Sequence, residues 1–133
     1  MTANKIYFLP GGRTFMMTDD LKQALTIISD DASSIEASFT FAGSLTIFRD
    51  HFPGLPVVPG VYLVALCRMV LETSGSRTTN NLQRAKFIKI CSPDAPYSIR
   101  ISLTSSLATC SIYSPDSELC AKIILQITSP STT

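Results

Sequence analysis

At 133 residues with a net charge of +1, the chain has the length of one domain with a real core, and its charge balance calls for no nucleic acid. Apolar residues make up 45% and charged residues only 16%, which predicts that a substantial surface is covered by another chain. Cys67, Cys91, Cys110 and Cys120 are widely separated without Cys-x-x-Cys spacing, so they read as buried free thiols in a reducing compartment, not as zinc ligands or disulfides. With no signal pattern, no membrane span and no metal or cofactor motif, the expectation is one domain over 1–133 in the cytoplasm.

Ile6 to Leu9 and Phe15 to Met17 are two short apolar stretches separated by Pro10-Gly11-Gly12, a break too short for a linker. Residues 19 to 25 can form a helix, and Leu25 to Ile28 ahead of Ser29-Asp30-Asp31 reads as a strand followed by a turn. From Ser34 to Phe41, Ile35, Ala37, Phe39 and Phe41 alternate with Glu36, Ser38 and Thr40, the pattern of a half-buried strand.

The stretch from His51 to Glu72 follows. It holds the single histidine and three of the eight prolines. Proline and glycine alternate so densely over residues 51 to 60 that the loop must be stiff. From Val61 to Thr73 neither occurs and apolar residues lie on every side, which predicts a helix buried all round. At about 20 Å it is too short to cross a membrane. Gly60 stands where that helix begins, so free amides and the positive end of its dipole lie near His51 and can polarise a carbonyl oxygen. By itself a lone histidine in this setting fits a structural role as well as a catalytic one.

Ser74 to Asn81 is the most polar stretch, with Gly75 placed to cap the helix. Leu82 to Ile90 is strand-like, with Leu82, Arg84, Lys86, Ile88 and Ile90 expected on one side. Further strands are expected at about 97 to 104, 107 to 113 and 118 to 128; Ser114-Pro115-Asp116-Ser117 suits a type I turn between the last two, and residues 129 to 133 read as a tail. Strands, one buried helix, then strands again predict an α+β domain whose antiparallel sheet wraps a single helix.

The run His51-Phe52-Pro53-Gly54-x-Pro56-Val57-x-Pro59-Gly60-Val61 closely resembles the signature of hot-dog-fold 3-hydroxyacyl-acyl-carrier-protein dehydratases of fatty-acid and polyketide synthesis. Weaker echoes extend over nearly the whole chain, in Leu9-Pro10, in Phe15-Met16-Met17-x-Asp19, and in Lys86-Phe87 followed by Ser92-Pro93-Asp94, where the family's usual glycine between proline and aspartate is absent. The resemblance implies a hot-dog fold, paired subunits, and two interface sites that each combine a histidine of one subunit with a helix carboxylate of the other. It carries the histidine onto His51, and the amide that holds the thioester carbonyl onto Gly60, beside Val61. The carboxylate belongs fourteen positions after the histidine, where this chain has Ala65; a glutamine often follows four positions later, where it has Met69.

Arg68 and Glu72 share a helix side with Ala65, but Glu72 stands about 10 Å further along the axis and cannot replace the acid. An i, i+4 pair between them is the expected arrangement. Asp50 either orients His51 or is an exposed loop carboxylate. Three functions follow: the histidine-bearing half of a heterodimeric dehydratase acting on substrates carried by acyl carrier protein; a non-catalytic subunit that stabilises such an enzyme or binds acyl chains, alone as a homodimer or with a partner; or a thioesterase-like enzyme, against which Ala65 also argues. Arg84, Lys86, Lys89 and Arg100 read either as a solvated strand face or as a basic surface for the acidic carrier protein.

Overall fold

The computed structural model describes residues 7–8, 14–15, 18–31, 33–45, 48, 57–74 and 77–128. A two-stranded antiparallel pair, β1 (Tyr7–Phe8) with β2 (Thr14–Phe15), precedes α1 (Thr18–Ala24), β3 (Leu25–Asp30) and β4 (Ser34–Phe39). The long helix α2 (Gly60–Thr73) follows, then β5 (Thr78–Phe87), β6 (Tyr97–Leu103), β7 (Leu107–Tyr113) and β8 (Leu119–Thr128). The main sheet has the order β3-β4-β6-β7-β8-β5, and all its pairings are antiparallel. After β4 the chain therefore crosses to the far edge through α2, lays down β5 there, and returns to fill the middle of the sheet. This is the expected α+β architecture of one central helix on one antiparallel sheet.

Alternation sets which face is inside. In β4, β6 and β7 every second side chain is buried, among them Ile35, Phe39, Ile99, Ile101, Cys110 and Ile112. Leu66, Val70 and Leu71 of α2 are fully enclosed in the same core, each such side chain contributing about 1.5–3 kcal/mol by leaving water. All four cysteines are buried and free, as their neighbours predict. The Ser114–Ser117 turn closes with Ser117 N–H donating to Ser114 O at 2.9 Å, and Ser117 takes the left-handed conformation (φ 65°) that follows a type I turn in a three-residue hairpin loop.

Three expectations are corrected. The helix is not buried all round: Val61, Val64, Arg68 and Glu72 form a half-buried stripe along one side, because the main sheet covers only the other. Its last turn closes at Ser74, whose backbone is extended, whose N–H donates to Val70 O at 2.8 Å and whose hydroxyl bonds Asp30, while the expected capping Gly75 lies outside the described residues. Strand β5 begins at Thr78, inside the polar stretch and ahead of the expected start at Leu82, and stops at Phe87, short of Ile88 and Ile90. Its register against β8 shifts between Leu82 and Arg84, which breaks the single face expected for Leu82, Arg84 and Lys86.

The turn after β5 closes without the missing glycine. Asp94 itself takes the left-handed position (φ 62°), which aspartate tolerates better than most residues, and ties the turn to the end of β4. Its N–H donates to Phe41 O at 2.7 Å, and its carboxylate accepts from Gly43 N–H at 3.0 Å.

Candidate active site

Helix α2 begins at Gly60 behind Pro59, which has extended backbone (φ −60°, ψ 146°) and supplies no side-chain cap. Pro59 O accepts from Tyr62 N–H at 2.9 Å and Leu63 N–H at 3.4 Å, while no acceptor among the described residues takes the N–H of Gly60 or Val61. These two amides and the helix dipole point out of the helix start, an arrangement suited to an oxygen that gains negative charge. Val58 N–H donates to Cys91 O at 2.8 Å, fastening the segment before the helix to the chain after β5.

A cleft of ≈ 470 Å³ opens at this point, walled by Val57, Gly60 and Val61 on the helix side and by Phe87, Ile88 and Ile90 on the other. Gly60 has a steric reason to be glycine: a Cβ there would stand 2.8 Å from Phe87 Cζ. The walls are chiefly apolar, as an acyl chain requires. Their ionisable groups are Lys89, which is paired with Glu118, and Cys91. Burial, with the neighbouring Cys120 thiol adding to it, pushes Cys91 up to about 12, so near neutral pH it is neither a base nor a nucleophile. No carboxylate is among the described residues of the walls.

Ala65 is 3% exposed on α2, one turn beyond Val61 and about 40° round the axis from it, beside the half-buried stripe. Met69 is also buried. Arg68 and Glu72 are joined through β5: Arg68 Nη1 donates to Thr79 Oγ1 at 3.0 Å, and Thr79 Oγ1 donates to Glu72 Oε2 at 2.6 Å. Thr79 escaped the sequence reading because it falls in the polar stretch before Leu82, where the strand is expected to begin. Glu72 is thus engaged at the far end of the helix, away from the Gly60 cleft. The structure brings Gly60 and Val61 together at the cleft; His51 and Asp50 lie outside the described residues.

No group of three or more His, Cys, Asp or Glu side chains among the described residues is arranged to hold a metal, and no described helix is long and apolar enough to cross a membrane.

Among curated proteins, none matches the sequence significantly. Solved structures do match the fold. The dehydratase heterocomplex ApeI:P from Xenorhabdus doucetiae aligns with TM-score 0.68 and 16% identity over 77% of this chain and 94% of that one. A Streptococcus mutans protein solved with acetyl CoA aligns with TM-score 0.63 and 9% identity over 80% and 89% of the two chains. The PaaI protein of the E. coli phenylacetic acid degradation operon gives 0.62 and 11% over 82% and 81%. These likenesses establish the hot-dog fold. The family rests on sequence: residues 27–123, which take in most of β3, strands β4 to β7, α2 and part of β8, match the ApeI-like family, described as ApeI dehydratase. With the helix-start amides and apolar cleft inside the matched region, the chain belongs to the ApeI-like dehydratase family.

Proposed function

We propose that the chain is the histidine-bearing subunit of a heterodimeric dehydratase that acts on 3-hydroxyacyl thioesters of acyl carrier protein in fatty-acid, polyene or polyketide synthesis. The observation that carries this reading is the missing acid: Ala65 stands at the carboxylate's position, and the described walls of the cleft hold no carboxylate in its stead. In the proposed reaction His51 removes the α proton of the thioester. The amides of Gly60 and Val61 hold the carbonyl oxygen as it becomes an enolate, and a carboxylic acid of the partner protonates the β-hydroxyl, which leaves as water. The product is an α,β-unsaturated thioester. Each proton transfer is helped about 10²- to 10⁴-fold by a positioned group.

In this reading the partner pairs along the free edge of β5, which is supported by the exposure of Leu82 and Phe87 on the strand and of Ile88 and Ile90 just beyond it, at 44%, 50%, 46% and 62%. An unpaired apolar edge is a template for another strand. A similar fold in a relative named as a dehydratase heterocomplex supports a second hot-dog subunit there. Purified alone, the chain is expected to pair with itself as a homodimer or to be poorly soluble; a well-behaved monomer in sedimentation at micromolar concentration would contradict this.

Turnover of a 3-hydroxyacyl carrier protein, by the chain, by a carboxylate-bearing hot-dog partner and by the two together, tests the function. A pair no faster than the partner by itself would leave this chain a structural subunit. Gly60→Ala probes the oxygen-holding amides. Phe87 is half exposed and its ring can swing outward, so stability should change by no more than about 1 kcal/mol. Moving the ring and the helix start should lower kcat/KM of the pair about tenfold or more. Unchanged kinetics with an unchanged melt would remove the helix start from the site.

A further inference from the structure

The outward face of the sheet carries a charge cluster that the cleft does not use. Arg84 and Lys86 of β5, with Lys122 and Ile124 of β8, line a hollow of ≈ 260 Å³. Register fixes the arrangement: Lys86 lies directly opposite Lys122, and Arg84 opposite Ile124. The same row continues through Ser111 to Arg100 and Glu36, so it runs from a carboxylate on β4 to Lys122 of β8 and Lys86 of the edge strand β5.

Two neighbouring cations, Arg100 of β6 and Lys89 just beyond β5, are matched. Arg100 Nε lies 3.7 Å from Glu36 Oε1 and its guanidinium 5.3 Å over the Tyr113 ring, and Lys89 pairs with Glu118. By contrast, Arg84, Lys86 and Lys122 are exposed, and no carboxylate among the described residues pairs with them. Like charges set opposite each other on adjacent strands repel. A merely solvated face would be better served by alternating signs, as at Glu36 and Arg100. Three cations around a half-buried isoleucine make a concave surface complementary to an acidic one.

Position adds to charge. Lys86 is followed by Phe87, which walls the cleft, so the basic hollow and the cleft lie on opposite faces of one strand segment. Pairing of the β5 edge engages backbone groups in the plane of the sheet and leaves the outward side chains free. We propose that Arg84, Lys86 and Lys122 dock the acidic face of the carrier protein that brings the substrate, an inference that rests on the carrier-linked reading of the function.

Lys86→Glu is the sharpest probe, because it sets opposite charges across the β5–β8 pair and so favours folding. The chain assembled with its partner is titrated at low salt with holo acyl carrier protein and, separately, with coenzyme A. Lys22→Glu on α1, beside the opposite edge of the sheet, provides an equal change of charge. Lys86→Glu should weaken carrier binding about tenfold or more, with coenzyme A binding and turnover of a pantetheine thioester unchanged, and Lys22→Glu should have no such effect. The proposal is overturned by wild-type carrier affinity in Lys86→Glu, by an equal loss in Lys22→Glu, by a parallel loss of coenzyme A binding, which would make the hollow a phosphate site, or by a wild-type complex that binds no carrier. Because binding is read without turnover, an inactive complex would refute the dehydratase reading separately.

Discussion

His51→Ala is expected to reduce turnover of a 3-hydroxyacyl carrier protein by the reconstituted pair about 10²-fold or more, with the complex still assembled on gel filtration. The size follows from the role. Abstraction of the α proton needs a base that is neutral near pH 7, and an imidazole with its ordinary pKa of about 6.5 is mostly so. In the proposed heterodimer, the second interface site would set the partner's side against Ala65, with no acid at that position, and so would not make up the loss. Loss of activity together with loss of assembly would point to a structural histidine. Unchanged turnover in an intact complex would make the histidine dispensable and the chain a scaffold.

The second large effect is the deficit of the chain by itself, whose turnover should fall two to four orders of magnitude below that of the pair, roughly the contribution of one positioned acid. A self-paired molecule would have His51 and the helix-start amides twice over, and Ala65 in place of the helix acid at both sites. Ala65→Glu is the reciprocal experiment. Ala65 is 3% exposed beside the half-buried stripe, so a glutamate there loses hydration and should lower the melting temperature, yet should raise the turnover of the lone chain. Family-like rates from the unaltered chain would refute the assignment and direct attention to Glu72 or Asp50.

The elements that bury one clean face were legible in the sequence. Ile35, Ala37, Phe39 and Phe41 alternate because one side of β4 faces α2, and all four are buried. The helix announced itself by composition and its start by Gly60, whereas the missing acid at Ala65 followed only from the resemblance to the dehydratases. Strand β5 was misread at both ends for a physical reason: its residues are exposed or half exposed, so burial imposes no alternation, and two register irregularities disturb what pattern there is. The link from Arg68 through Thr79 to Glu72 joins a helix to a strand, and no local pattern encodes it. Lys122 joins Arg84 and Lys86 only through the register of β8 on β5, whereas Lys89 and Arg100, grouped with them by sequence, find carboxylates of their own.

Both outer strands of the sheet are irregular: β5 departs from register near Thr79, Leu82 and Arg84, and β3 departs between Ile27 and Ser29. A strand that bulges offers only a short regular run of donors and acceptors to a newcomer. Two sheets can therefore join over the regular Arg84 to Phe87 segment, while the resulting ribbon is terminated at each end by a bulged β3. Such an edge disfavours addition of a further strand, so a strongly apolar chain can leave one edge open for pairing while the bulged β3 discourages endless stacking.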